Sequence, residues 1–237
     1  MPTPPTPSAR PSSILLEVIV QSLADAREAA RGGADRLEVV RDIRLGGLTP
    51  PLTLVRTIAR ETSLPLRVML RENAGYDTTR EEVSTLRRAA RELAAEGIDG
   101  LVVGFARDGL PGLDEVRSVL DAAPGVAVTF HRAFDQLQDP IEAIDRIAAI
   151  EQIDRILTDG GGGTPADRCD RLREYAARAG GRVEIIAGGG VDEALFALIV
   201  STKSVREVHV GRLARDGGNQ EAPVSAARVR RLRELAG

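Results

Sequence analysis

Short apolar runs alternate along the chain with segments whose apolar residues recur at helical spacing, starting at Ile14. Strands that are each followed by a helix produce this pattern when they form a parallel sheet covered by helices. Eight runs are predicted as strands: 14–20, 35–40, 64–70, 99–104, 126–130, 154–158, 182–187 and 205–210. Eight helices are predicted to follow them: 23–31, 50–61, 80–96, 113–123, 140–149, 165–179, 192–201 and 225–235. Thr49 is expected to be the N-cap of the second helix, with Pro50 in its first turn.

Eight βα units in succession predict an α/β fold, a single (β/α)8 TIM-like barrel over residues 14–237, since this fold usually takes about 250 residues. A doubly wound open sheet is the alternative, but it seldom carries eight evenly spaced units. Residues 1–13 are rich in proline, serine and threonine and lack the basic and apolar regions of a signal peptide. We therefore expect a disordered N-terminal leader before the barrel.

The composition narrows the classes of partner. The formal net charge is −3 and Lys203 is the one lysine, so we expect no basic surface for nucleic acid. No apolar stretch approaches the roughly 20 residues of a membrane span, so no membrane contact is expected. The one cysteine, Cys169, excludes an internal disulfide and a cysteine-only metal cluster. It suits a reducing compartment and falls in the sixth helix, away from the strand ends.

Polar residues end several of the predicted strands. In a (β/α)8 barrel the active site lies at the carboxyl ends of the strands and in the loops that follow them. The ionisable and hydroxyl residues at these positions are Glu17, Glu38, Arg71, His131, Arg132, Asp135, Thr158, Asp159 and His209. Glycines share this edge at 46–47, 104, 160–163, 188–190 and 211. We therefore expect the functional site at the carboxyl mouth of the barrel.

Each of the two histidines closes an apolar run. His131 is followed by Arg132 and Asp135, and we expect it to act as a general acid or base, with Asp135 or a strand-end glutamate orienting its ring. The alternative is a core histidine bonded to a backbone carbonyl. His209 has apolar neighbours, so a role in the site and an internal structural role are both open for it.

Glu17 and Glu38 each interrupt an apolar run, where an unpaired carboxylate is costly to bury. Two interpretations are open. The glutamates form structural ion pairs with Arg36, Arg71 or Arg132, or they form an acid/base or cation-holding pair. Arg71 is expected to bind an anionic substrate, and pairing with the glutamates is the alternative.

Glycines follow the last two strands, where many barrels hold a phosphate on backbone N–H groups. The positions are Gly189 and Gly190 after the seventh strand, and Gly211 with Arg212 after the eighth. Two interpretations are open: these groups bind an anion such as phosphate, or the glycines only allow tight turns before the helices. Residues 160–163 either contribute to the same site or form a flexible lid.

Six short segments together point to a known family. They are GADRLE (33–38), GGLTP (46–50), TFHRAFD (129–135), RILT (155–158), GGGV (188–191) and EVH (207–209). In this order and spacing the chain resembles the CutC family, and segment 129–135 is the most specific of the six. The resemblance implies a TIM-like barrel in the cytoplasm, often a homo-oligomer, and a link to copper handling.

The chain departs from the family pattern at three places. Val40 stands where members often carry a cysteine, and LRENAGYD (70–77) stands where they have IRPRGGDF. Val210 and Gly211 replace the serine that normally follows the last histidine. Cu(I) prefers thiolate and thioether ligands, and these have gone from the strand ends. Copper is therefore implied by the resemblance alone.

Two functions follow from these observations. The first is an enzyme acting on a small anionic or phosphorylated metabolite by acid–base chemistry. Its catalytic candidates are His131, Asp135, Glu38 and Glu17, and its substrate-binding candidates are Arg71, Arg132, Thr158, His209, Gly189, Gly190, Gly211 and Arg212. The second is a metal-binding protein, whose histidines and glutamates suit Zn(II), Cu(II) or Mn(II) better than Cu(I). No motif fixes a reaction.

Overall fold

A computed structural model describes residues 13–237, and in it eight parallel strands close into one barrel. The strands are β1 (Leu15–Val20), β2 (Arg36–Val39), β3 (Leu66–Met69), β4 (Gly100–Val102), β5 (Ala127–Phe130), β6 (Ile153–Thr158), β7 (Glu184–Ala187) and β8 (Glu207–Val210). Because β1 pairs with both β2 and β8, the barrel is closed and the predicted TIM-like fold is confirmed. The leader predicted at residues 1–13 lies outside the described residues, except for Ser13.

Eight α-helices of the described chain alternate with these strands. They are α1 (Leu23–Gly32), α2 (Leu52–Glu61), α3 (Arg80–Ala94), α4 (Leu113–Leu120), α5 (Pro140–Ala148), α6 (Pro165–Ala179), α7 (Glu193–Thr202) and α8 (Ala226–Ala236). Thr79 and Thr164 open α3 and α6 with capping boxes. Gly33 ends α1 in the left-handed region, with a φ of 87°. Across residues 13–237, every helix is too short or too polar to cross a membrane.

Two local predictions are wrong. Thr49 does not cap α2, because its hydroxyl group is bonded to the backbone N–H and carbonyl of Arg71 at 2.9 and 3.0 Å. The predicted strand 99–104 is shorter in the structure, and an unpredicted hairpin of Ala106–Arg107 and Leu110–Pro111 follows it. The turn of this hairpin is Asp108–Gly109, with φ of 52° and 77°, and an Asp-Gly pair favours such two-residue turns.

The barrel interior contains buried ion pairs. Arg36 is 2% exposed and donates to Glu17 at 2.5 Å and to Glu207 at 2.6 Å. Glu207 also accepts a hydrogen bond from Arg155 at 2.9 Å. The structural ion pair that the sequence left open is therefore present for Glu17, and its partner is Arg36. Removing one member of such a pair leaves a buried charge without compensation.

Candidate functional site

A pocket of about 210 Å³ opens at the carboxyl ends of the strands. Its polar lining consists of Glu38, Arg71, Tyr76, His131, Arg132, His209, Arg212 and Gln220, with Gly46, Gly189, Gly190 and Gly211. Its apolar lining consists of Ile19, Ile43, Met69, Leu157 and Val191. The candidates that the sequence predicted all line this pocket, except Glu17, Asp135 and Thr158. The strand ends therefore bring most of the predicted site residues together.

Strand register places Glu17 beside two basic partners. It is in register with Arg36 on β2 and with His209 on β8, and paired residues of parallel strands project to the same face. Nδ1 of His209 lies 2.8 Å from Oε1 of Glu17. Burial opposes charge on Glu17, but Arg36 and His209 hold its pKa well below its usual range. Burial also opposes charge on His209, yet Glu38 and Glu17 raise its pKa, which favours an imidazolium–carboxylate pair.

Glu38 is buried beside this pair with one oxygen unsatisfied. Oε2 of Glu38 has no hydrogen-bond partner among the described residues, and Nδ1 of His209 lies 3.6 Å away. Burial raises the pKa of Glu38 to about 7, with the charge of Glu17 acting in the same direction and His209 and Arg36 opposing it. Glu38 can therefore take up or release a proton near neutral pH.

His131 is a buried, neutral ring whose side chain lines the pocket. Its Nδ1 accepts the backbone N–H of Ala133 at 3.1 Å, so the ring proton lies on Nε2. Nε2 is buried and finds no partner within residues 13–237. Burial, together with the charges of Arg71 and Arg132, lowers the pKa of His131 to about 3. The ring is therefore suited to donate a hydrogen bond to a ligand oxygen, rather than to act as a general base.

Asp135 does not orient His131, so that part of the prediction is wrong. The carboxylate of Asp135 instead accepts hydrogen bonds from Arg132 at 2.8 Å and from the hydroxyl of Thr158 at 2.6 Å. Arg132 also donates to Asp159 at 2.8 Å. The physical reason is the short 3-10 turn after β5, in which Asp135 faces the Arg132 side chain and the end of β6. Asp135 and Thr158 therefore hold Arg132 in place from outside the pocket.

Arg71 is a buried cation that contacts carbonyls. It is 7% exposed and donates to the carbonyls of Gly75 at 3.1 Å, Gly46 at 3.4 Å and Ala74. In the part of the chain that the structure describes, it forms no ion pair with a carboxylate. Burial lowers its pKa, and the neighbouring charge of Arg132 adds to this effect. Pairing with the two barrel glutamates is therefore excluded, and anion binding stays a prediction.

Two polar lining residues, Tyr76 and Gln220, were not predicted from the sequence. The Tyr76 ring meets the His131 ring edge-on at 5.5 Å, and the Arg71 guanidinium lies 4.7 Å from the Tyr76 ring centre. Gln220 donates to the carbonyl of Ile43 at 2.9 Å. Both lie in loops without regular periodicity. The sequence offered one signal for Tyr76: it lies soon after the third predicted strand, in a loop at the expected mouth of the barrel.

Two predicted features lie outside the pocket. The segment 160–163 does not line it, and its carbonyls at Gly160 and Gly162 accept hydrogen bonds from Arg171 of α6. Cys169 is buried in α6, with its Sγ 3.1 Å from the hydroxyl of Ser204. The segment 160–163 therefore does not contribute to this site, and a lid role for it stays a prediction.

One group of side chains in the described residues has the composition of a metal site. Glu17, Glu38 and His209 offer ligand atoms that lie within 4.8 Å of one another. Two carboxylates and an imidazole suit Zn(II) or Mn(II). The cluster itself offers only oxygen and nitrogen ligands, which suit Cu(I) poorly. The expectation that sulphur ligands have gone from the strand ends is wrong for the thioether, because Met69 at the end of β3 lines the pocket, whereas Cys169 lies elsewhere. Nδ1 of His209 is already bonded to Glu17, so a metal ion there would have to displace a proton.

The neutral state of His131 predicts a specific sensitivity to acid. The folded protein keeps His131 unprotonated down to about pH 3, whereas an unfolded histidine takes up a proton below about pH 6.5. The stability that it contributes is therefore fully present above pH 6.5 and is lost as the pH falls. Between pH 6.5 and 5 the parent protein should lose about 2 kcal/mol more of its unfolding free energy than His131→Gln. Urea unfolding at both pH values measures this, and equal losses would contradict the neutral ring.

These features define a class of protein: a (β/α)8 barrel with a polar ligand pocket at its carboxyl mouth. The family model of the CutC family matches residues 14–214. The chain belongs to the CutC family.

Relatives agree with this assignment, and a solved structure agrees with the fold. A CutC family protein from Treponema denticola is 33% identical over 205 residues, which cover 86% of this chain and 83% of the relative. The human copper homeostasis protein cutC homolog is 30% identical over 210 residues, covering 87% of this chain and 77% of the relative. The structure of CutC from Streptococcus agalactiae is similar with a TM-score of 0.76 and 23% identity, over 83% of this chain and 97% of that one.

Proposed function

We propose that this barrel is an enzyme that acts on a small anionic metabolite by acid–base chemistry at the mouth pocket. One observation carries the proposal. Oε2 of Glu38 and Nε2 of His131 are both buried, both lack a hydrogen-bond partner among the described residues, and both belong to side chains that line one pocket. Leaving a buried polar group unsatisfied costs about 1–3 kcal/mol, so two such atoms at one pocket favour a ligand that supplies their partners.

The proposed roles follow from the charge state of each group. Glu38 transfers the proton, because its pKa of about 7 allows both protonation states at neutral pH. His131 donates its Nε2–H to an oxygen of the substrate, where charge develops during the reaction. Arg71 attracts the negative charge of the substrate into the pocket, whereas the charge of Arg132 is already compensated by Asp135 and Asp159. The Glu17–His209 pair is already neutralised, so Glu38 is left as the proton carrier.

A thermal-shift panel of small carboxylates and phosphorylated metabolites tests the proposal. At least one anion should raise the melting temperature of the parent protein, and His131→Gln should weaken that shift. Arg171→Gln is the matched control, because Arg171 lies on α6 and contacts a loop outside the pocket. If no anion stabilises the protein, or if His131→Gln responds like the parent, the proposed site is wrong.

A second candidate function is the binding of a divalent cation, and the cluster of Glu17, Glu38 and His209 favours it. A role in metal handling would also agree with the name of the human relative. Elemental analysis of protein purified without an affinity tag separates the two candidates. Stoichiometric zinc or manganese that is lost in Glu38→Gln would support the cation, and protein without metal would favour the enzyme.

We also infer a cytoplasmic location and a homo-oligomer. The single cysteine is buried as a free thiol, which suits a reducing compartment. Light scattering of the purified protein tests the oligomer, and a monomer mass at working concentrations would contradict it. The expected partner is the small anionic ligand, and we expect neither nucleic acid nor a membrane as a partner.

A further inference from the structure

A single arginine fixes the direction of two peptide groups after β7. Arg168 of α6 donates to the carbonyl of Gly189 at 2.9 Å and to the carbonyl of Gly190 at 3.1 Å. No described peptide bond is cis, so the N–H of each of these peptide groups points opposite to its carbonyl. The N–H groups of Gly190 and Val191 therefore point away from Arg168. Both residues line the mouth pocket.

These two N–H groups have no acceptor in the described chain, and the helix that follows does not use them. The first turn of α7 is capped by Asp192, whose carboxylate accepts the N–H of Leu195 at 2.8 Å. Successive backbone N–H groups that face one side form a concave site for an anion. The glycines make this arrangement available, because Gly189 and Gly190 have φ of 78° and 72°.

Two arginines flank the same peptide groups. A Cβ atom on Gly189 would lie 2.4 Å from Nε of Arg132, and one on Gly190 would lie 3.6 Å from a terminal nitrogen of Arg212. Arg212 is exposed and its side chain is without an ion pair or hydrogen bond in residues 13–237. Arg212 and the two N–H groups are thus donors at one rim of the pocket that still need an acceptor.

We propose that this rim binds the phosphate group of the substrate, with Arg212 and the N–H groups of Gly190 and Val191 as donors and Arg168 as the positioning residue. The inference rests on the proposed function and names its substrate class, a small phosphate monoester. A phosphate suits the rim better than a carboxylate, because it offers three oxygens and up to two negative charges to several donors. The side chain of His131 lines the same pocket, and its buried Nε2 has no hydrogen-bond partner within residues 13–237.

Titration calorimetry with inorganic phosphate at pH 8 tests the phosphate site without knowledge of the substrate. Arg212→Gln removes a charged donor, and Arg168→Gln releases the two carbonyls, so each should weaken phosphate binding by about tenfold or more. Arg171→Gln is the matched control on α6, and its phosphate affinity should equal that of the parent protein. Arg212 is exposed, so its replacement leaves the core intact.

Two outcomes overturn the phosphate site: no binding of phosphate by the parent protein, or equal affinity in the parent, Arg212→Gln and Arg168→Gln. Phosphate binding by Glu38→Gln distinguishes a failure of the phosphate site from a failure of the proposed reaction. We expect Glu38→Gln to bind phosphate no more weakly than the parent, because Glu38 contributes a proton carrier and no donor for the anion. Loss of turnover in Glu38→Gln therefore tests the chemistry, and loss of phosphate binding in Arg212→Gln tests the site.

Discussion

Replacing Glu38 with glutamine is expected to lower turnover by about 10²–10⁴-fold, the usual contribution of a positioned general acid or base. Glutamine keeps the size of the side chain but cannot exchange a proton. The anion should still bind, because Arg71 and His131 remain in the pocket. Steady-state kinetics of the parent and the variant, with the anion found by the thermal-shift panel as substrate, measures kcat and KM. If kcat is unchanged in the variant, Glu38 does not transfer a proton in the reaction.

The same variant is expected to gain stability at high pH. Folded Glu38 keeps its proton up to about pH 7, whereas an unfolded glutamate loses it above about pH 4.5. The stability that this proton contributes is fully present below pH 4.5 and is lost as the pH rises through 7. The unfolding free energy of Glu38→Gln relative to the parent should therefore rise by about 3 kcal/mol between pH 4.5 and 8. A variant destabilised at both pH values would show that lost turnover reflects damage to the fold.

Replacing Arg36 with methionine is expected to lower the unfolding free energy by about 3–5 kcal/mol. The side chain is 2% exposed and pairs with Glu17 and Glu207 in the barrel interior. Without Arg36, Glu17 keeps only the His209 contact, while Glu207 retains Arg155. For a chain of this size the melting temperature should fall by about 6–20 °C.

Arg27→Met is the matched control for the ion pair inside the barrel. Arg27 pairs with Glu61 at 2.7 Å on the surface, where the two side chains are 54% and 42% exposed. Exposed pairs of this kind contribute at most about 1 kcal/mol. Calorimetric scans of both variants measure the difference. If the melting temperatures of Arg36→Met and Arg27→Met differ by no more than about 2 °C, groups other than Arg36 compensate the charges of Glu17 and Glu207.

The fold was predictable because apolar strands and amphipathic helices alternate with little interruption. The hairpin after β4 was missed, although Asp108–Gly109 carries its turn signal, because its strands have only two residues each. Thr49 was assigned as a cap from its place before Pro50. The structure uses its hydroxyl to bind the backbone of Arg71, which follows the next strand, β3, and lies too far along the chain for a local sequence pattern to indicate the contact.

The site was predictable in position but not in chemistry. Barrel topology placed Glu38, His131 and Arg71 at one mouth before any contact was known. Which arginine pairs with Glu17 depends on strand register, and register brings together residues far apart in the chain. The tautomer of His131 depends on the turn that aims the N–H of Ala133 at Nδ1, and its neutral state depends on burial. Sequence spacing suggested Asp135 as the partner of His131, but in the structure Asp135 accepts a hydrogen bond from Arg132 instead.

The ionisation of Glu38 is the most direct test of a poised proton carrier at the barrel mouth. It can be followed by nuclear magnetic resonance of protein labelled with carbon-13 at the glutamate carboxyl groups. We expect one carboxyl signal to titrate near pH 7 in the parent protein and to be missing from Glu38→Gln. If every glutamate signal of the parent titrates below about pH 6, as solvated glutamates do, Glu38 is an ordinary ionised carboxylate and the proposed chemistry is wrong.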